Sequence, residues 1–594
     1  MPVHPKVDVV TIGGGWTSAI LGWKLGGAGY SVVAVEQGPA RWTTPDFQHN
    51  HDHLRYTVRK ALMHDISQES WTWRPNSRAP SLPIRRYGAF HPGAGVGGAA
   101  IHWSAMLWRF LPSDFRYRSH HVERYGADKL PEGTTAQDWP ISYYELEEYY
   151  DQFEWDLGTS GKAGNLLGEL REGGNIFEGP RRREFALPPI EVTIPAKMFA
   201  EATQRMGYHP FPQPSGILSR ARTDPFGFTR SGCLYCGFCT RFGCEVDAKG
   251  SPITTHTRLA LRTKKYELRT NAKVIRINTG ADGLATGITY IGPDGQEHEQ
   301  PAEVVIVSAY ALSNVRLLLL SRSQQHPNGI GNDRNMVGKN FTYQLWKSPV
   351  TGVFEGRRFN LYAGNTSTIN VIYDYNADNF DHSSLDFVGG AQIFCGMGER
   401  DPLGAVESLP TQSGSNGGNR EKRWGREFKQ SFRLNWDGYV PITIQAESLP
   451  YVDQYLDLDP VYRDRYGLPL LRLTFDWHRN DYNLYRFIAA RAREIMEEMG
   501  PTWIDESGEL EPFNVHQYQS THITGGAVMG SDPGNSVTNR YGQVWDTPNV
   551  FVTGSALYPQ NPGANPTDTL AALAYMTGDA IRDRYFKSPN RLLA

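Results

Sequence analysis

Apolar positions along the chain follow two different periods. Residues 7–12 (VDVVTI) form a short β-branched run, 13–15 are three glycines, and 17–25 carry apolar residues at helical spacing. Gly26, Gly27 and Gly29 then stop the helix, and 31–35 is a second apolar run that ends at Glu36. The order is strand, glycine turn, helix, strand, acid. Further on, AEVVIVSA at 302–309 predicts a buried strand that leads into a helix over ALSNVRLLLLS. Near the C-terminus, NVFVTGSALYPQNPGANPTDTLAALAYMTGDAI again reads as strand, loop, helix. Helices are also predicted over 142–157, where Ser142 and Glu145 make a capping box, and over 481–499 by apolar period.

Nucleotide-fold pieces therefore recur at the start, middle and end, and the domains must be discontinuous. We expect 1–115, 226–345 and 536–594 to form a Rossmann-like cofactor domain in an α/β (overall α+β) protein. Residues 116–225 and 346–535 are expected to form a sheet-based substrate domain. Residues 158–183 read as a long exposed loop and 413–419 as a flexible stretch. The basic run 420–429 reads as a solvated face, with a docking surface as the minority reading.

Composition narrows the picture. A chain of 594 residues is too long for one core. A net charge of −3 makes no case for nucleic acid or an anionic membrane as partner. Five cysteines are too few for a disulfide framework. No apolar run approaches the ~18 residues of a membrane helix. The opening MPVHPKVDVVTIGGG enters a strand directly, so export or membrane attachment is expected to come from a partner.

The first forty residues are a dinucleotide-binding fingerprint. Gly13 and Gly15 let the backbone approach a pyrophosphate, and the helix that follows presents its N-terminal amides. The third small position is Ser18 rather than glycine, still small enough for close helix–strand packing. Glu36 is placed to accept from ribose hydroxyls. A second glycine loop, HPGAGVGGAAIHWSAMLWRF at 91–110, contains Gly97, Gly98, His102 and Ser104. Two backbone-rich loops suit FAD better than NAD.

Four cysteines, Cys233, Cys236, Cys239 and Cys244, lie in CLYCGFCTRFGC with spacing C-x2-C-x2-C-x4-C. Four thiolates so compressed can wrap an iron–sulfur cluster. Structural zinc is the rival, although zinc knuckles are usually joined across a longer loop. Cys395 stands alone and reads as a buried thiol.

The fingerprint, GAGVGGAAIHWS, VGKNF (337–341), STHITGGAVMG (520–530) and NPGANPTDTLAALAY (561–575) resemble the glucose–methanol–choline (GMC) oxidoreductases. NADNFDH (376–382) and LDLDP (456–460) extend the likeness to the large flavoprotein subunits of gluconate 2-dehydrogenase type. That resemblance implies FAD, with Gly554 and Ser555 among its contacts, and oxidation of a sugar, sugar-acid or polyol hydroxyl to a carbonyl. It implies His522 as base and Asn565 as second active-site group. It implies flavin bonded covalently to His102, the alternative being a histidine that only packs beside the ring. It also implies a [3Fe–4S] cluster on three of the four cysteines, a small subunit carrying an export signal, a multihaem cytochrome c subunit, and a membrane-associated complex at the periplasmic face. A cytoplasmic location is the alternative.

A cluster that passes single electrons between flavin and haem favours a dehydrogenase. Two other readings stay open: a flavin oxidase that uses O2 and holds zinc at the cysteines, and a non-catalytic electron-transfer subunit. A sugar acid would need a cation nearby, and Arg109 and the 420–429 run are the candidates.

Overall fold

The coordinates are a computed structural model that describes residues 1–48, 51–399, 424–518 and 520–592. The stretch 413–419 and the start of the basic run at 420–423 lie outside the described residues. The rest of that run enters a helix, Gly425–Asn435.

The strand Val7–Ile12 lies between Val32–Val35 and Glu297–Val307, parallel to both. Tyr266–Arg269 adds a parallel edge beside Val32–Val35, and Val550–Val552 pairs in parallel with the C-terminal end of Glu297–Val307. Strands buried on both faces need continuous apolar runs, which is why VVAV and VVIV carry no alternation. The N-terminal half of Glu297–Val307 continues past this core and pairs antiparallel with Ala285–Ile291, which pairs with Lys273–Thr279. One seven-stranded sheet thus draws on the beginning, middle and end of the chain.

The second sheet has six antiparallel strands, in the order Trp503–Glu506, Leu345–Val353, Tyr439–Ala446, Ala391–Cys395, Asn370–Ile372 and Phe211–Pro212. The helix Arg479–Met499 packs its apolar face on it. Cys395 ends a central strand and is buried. A third sheet pairs Trp71–Arg74 with Pro469–Thr474, joining the segment after the fingerprint to the later half of the chain.

The helix at 142–157 forms as Tyr143–Leu157, with Ser142 as N-cap and Glu145 closing the capping box. The segment 158–183 departs in part from its expectation. Residues 167–172 are exposed as expected, but the segment's two ends are not, since Ala163, Glu178 and Arg181 are buried. Arg181 pairs with Glu154 and Glu178, and Arg109 binds Glu154 through two nitrogens at 2.9 and 2.8 Å and Glu147 at 2.9 Å. Glycines and charges read as solvent-loving in sequence, but here the charges satisfy one another inside. The same network removes Arg109 from the list of substrate-binding cations.

Candidate active site

A cavity of about 1380 Å3 separates the two large sheets. It is larger than the ~300–1,000 Å3 of common small-ligand sites, so it has room for a large cofactor and a substrate. One wall is the fingerprint turn. Gly13 has φ +110°, and a Cβ there would lie 2.8 Å from Ser308 O. The helix Trp16–Gly27 starts directly after the turn, with its N-terminus at the cavity. Gly15, Gly97, Gly98, His102, Ser104, Gly554 and Ser555 all line the same space.

Glu36 also lines it, with its carboxylate held by the amides of Gly14 and Gly38 at 2.8 Å and of Gly95 at 3.2 Å. Burial pushes its pKa up, while those three amides pull the other way. Ser18 does not line the cavity. Its hydroxyl lies 2.8 Å from that of Thr11, inside the helix–strand contact. That is the packing role the third small position of the fingerprint requires.

Trp16 Nε1, His102 Nε2, Ser308 Oγ, Tyr310 OH and Asn565 Oδ1 are buried without a hydrogen-bond partner, and all five residues line the cavity. Buried polar atoms are rarely left so. Five of them around one space suit a polar cofactor. Burial, then the nearby Lys249 charge, lowers His102 to about 3, so its ring is neutral.

Behind the opposite wall, where His522 lines the cavity, lies a short antiparallel pair in which Thr342 faces Thr524 and Tyr343 faces Ile523. This register sets Gln344 beside His522, and Gln344 N donates to His522 O at 3.1 Å. The Gln344 amide donates to Pro562 O at 2.5 Å and Ala564 O at 3.1 Å. Both acceptors are carbonyls, so the nitrogen must face them and Oε1 must face His522. That oxygen lies 2.5 Å from His522 Nδ1. The hydrogen of neutral His522 is therefore on Nδ1, and Nε2 is left with a lone pair.

Asn565 Nδ2 lies 3.1 Å from that Nε2 and donates to it. Asn561 Nδ2 donates to His522 O at 2.9 Å and fixes the backbone. The Trp346 ring stands edge-on to the imidazole at 6.5 Å. Burial alone lowers His522 to about 3. His522 as a residue is nonetheless only half-buried, and it lines the cavity. His522 and Asn565 were legible in sequence from their motifs. Gln344 was not: it lies three residues past VGKNF in an ordinary strand-like run.

Cys233, Cys236, Cys239 and Cys244 are free thiols that line one small pocket with Ile217 and Lys249. Burial pushes the first three up. Tyr235 N and Asn365 Nδ2 donate to Cys233 Sγ at 3.3 Å, and Lys249 N lies 3.5 Å from Cys244 Sγ. The Lys249 ammonium is buried, with the carbonyls of Trp103, Cys239 and Phe242 as its acceptors. Amide donors and a buried cation suit an anionic, thiolate-ligated group. The thiols do not converge on one point: among the described residues, no three of them lie within 4.8 Å of one another. Four sulfurs around one zinc would lie about 3.8 Å apart, by the ~2.3 Å Zn–S distance. The cysteine loop touches the cavity wall, with Arg241 N donating to His102 O at 2.7 Å.

A parallel nucleotide sheet facing a second sheet, with a histidine–amide pair between them, is the arrangement of a cofactor-dependent oxidoreductase. Comparison with known proteins gives the same class. Two family models described as GMC oxidoreductase match, at 222–346 and 450–574. The chain is 40% identical to the gluconate 2-dehydrogenase flavoprotein of Pantoea cypripedii, over 99% of this chain and 95% of that one. It is 25% identical to the fructose dehydrogenase large subunit of Gluconobacter japonicus, over 97% and 98%. The crystal structure of pyridoxine 4-oxidase from Mesorbium loti shares the fold, with a TM-score of 0.59 at 15% identity over 98% of this chain and 99% of that one. The chain belongs to the GMC oxidoreductase family. It is an enzyme, an FAD-dependent oxidoreductase acting on CH–OH groups. Among the described residues, no helix is long and apolar enough to cross a membrane.

Proposed function

We propose that this enzyme is a dehydrogenase that oxidises a hydroxyl of a sugar, sugar acid or polyol to a carbonyl, with His522 as base. The observation that carries the reading is the fixed tautomer of His522, whose Nε2 lone pair faces the cavity beside Asn565 Nδ2. A substrate hydroxyl that inserts between the two side chains can donate its proton to Nε2 and accept from the Asn565 amide. The Gln344 oxygen, at 2.5 Å from Nδ1, stabilises the imidazolium that results.

FAD, when bound, supplies the two-electron acceptor for the hydride. The residues that would hold it are Gly13, Gly15, Glu36, Gly97, Gly98, Ser104, Gly554 and Ser555, with Ser18 packing the fingerprint helix behind them. His102, neutral and with an unpartnered Nε2 at the same cavity, is the position for a covalent bond to the flavin. In sequence terms, 1–115, 226–345 and 536–594 would form the cofactor domain and the remainder the substrate domain.

Cys233, Cys236, Cys239 and Cys244 would hold an iron–sulfur cluster of [3Fe–4S] type, with one thiol spare. A cluster supplies a one-electron relay towards a haem or quinone. A buried Lys249 beside the thiols and a loop hydrogen-bonded to the His102 backbone support this reading. The partners would be a small subunit that carries the export signal and a multihaem cytochrome c, in a periplasmic complex on the membrane. The large-subunit name of the fructose dehydrogenase relative supports a multisubunit enzyme.

A dye-reduction screen over sugars, sugar acids and polyols tests the reading. Bleaching of the flavin by a member of that panel, with little peroxide formed in air, is expected. Stoichiometric hydrogen peroxide would turn it into an oxidase.

A further inference from the structure

Away from the cavity, His326, Asp333 and Asp546 each bring one ligand atom within 4.8 Å of the other two. His326 and Asp333 lie on the loop that follows the helix Ala311–Leu320, and Asp546 lies just before the strand Val550–Val552.

The histidine is the informative member. It is only 3% exposed. Its Nε2 lies 2.9 Å from Gly283 O, a carbonyl that can only accept. The ring hydrogen is therefore on Nε2, and Nδ1 presents a lone pair. That Nδ1 is buried without a hydrogen-bond partner and stands 3.7 Å from Asp333 Oδ1.

Asp546 is held in place from behind. Its Oδ1 accepts from Gly331 N and Thr547 Oγ1, both at 3.0 Å, and Asp333 N lies 3.4 Å from its Oδ2. One imidazole lone pair and two carboxylates thus face one another, and no ammonium or guanidinium is paired with either carboxylate among the described ion pairs. Three acceptors in that arrangement repel unless a proton or a metal cation sits between them.

The donor set selects the cation. Imidazole suits first-row transition ions better than calcium or magnesium, and two carboxylates complete a set that zinc accepts. Zinc ligands at ~2.0–2.2 Å lie about 3.4 Å from one another, so a small contraction closes the site, and the exposed Asp333 can move to make it. We propose that His326, Asp333 and Asp546 bind a divalent first-row transition-metal ion, zinc foremost, which clasps the loop at 326–335 to the turn before Val550–Val552. Both elements run on to the cavity, where Ala311 and Gly554 line its wall, so the clasp would anchor their far ends.

The test uses the whole enzyme, stripped with a chelator, dialysed against Zn2+ and analysed for metal and for hydrogen exchange. Wild type should retain about one more zinc per chain than Asp333→Asn or Asp546→Asn, as a site of three protein ligands and one water predicts. Exchange at 326–335 should slow with Zn2+ in wild type and not in Asp333→Asn. Asp333 is on the surface, so its variant keeps the test valid if Asp546→Asn does not fold. Equal zinc retention in wild type and Asp333→Asn, or no change in exchange at 326–335, would overturn the proposal.

Discussion

His522 Nδ1 lies 2.5 Å from the side-chain oxygen of Gln344, across a register that joins residues 178 positions apart. This contact sets which nitrogen of the imidazole can act. Gln344→Met keeps the volume and removes the acceptor. We expect kcat to fall on the order of 10²-fold, the cost of misplacing a catalytic group. KM should change little. Near-normal kcat in stopped-flow flavin reduction would show that the tautomer is held by something else.

His522→Ala removes the base itself. A loss on the order of 10²–10⁴ in rate is expected, with flavin still bound. Asn565→Ala should act in the same direction by losing the donor at 3.1 Å from Nε2. Rapid flavin bleaching by substrate in His522→Ala would mean that the proton leaves to another group.

The pH profile follows from the burial of His522. A base works while neutral, and burial lowers its pKa from 6.5 to about 3. As pH falls, activity is lost only when Nε2 becomes protonated, so the acid limb of kcat/KM should lie well below pH 6.5. A limb centred at 6.5 or above in the reductive half-reaction would contradict this.

The cysteine loop predicts iron and acid-labile sulfide at roughly three or four atoms each per chain, by the cluster types that such ligands hold. Serine at three of the four cysteine positions should leave flavin reduction by substrate intact and impair transfer to a cytochrome or quinone, the fourth position being the spare thiol. Metal analysis that finds zinc and no iron would remove the relay.

Arg109 should matter for folding rather than for substrate. Arg109→Met takes one partner from each of the buried Glu154 and Glu147 carboxylates, which keep Arg181 and Arg182 respectively. A destabilisation of about 3 kcal/mol is expected, the lower end for a broken buried pair. Thermal unfolding measures it. A rise in KM for sugar acids with unchanged stability would return Arg109 to the substrate site.

The sequence by itself determined the local order of elements, because period and punctuation are properties of neighbours. The βαβ unit, the Ser142 capping box and the strand before Ala311 all follow from residues within one turn or strand of each other. His522, Asn565 and the four cysteines were also legible, since each stands inside a dense motif. Tertiary structure alone decided the rest. Gln344 carries no local signal, and its meaning comes from facing His522 across a sheet. Arg109 and the charged 158–183 segment read as solvent-facing until their partners on the helix Tyr143–Leu157 close around them. His326, Asp333 and Asp546 lie up to 220 residues apart and meet only where a loop and a strand approach from different sides. Contacts of this kind depend on which strands pair and in what register, and no local periodicity encodes that choice.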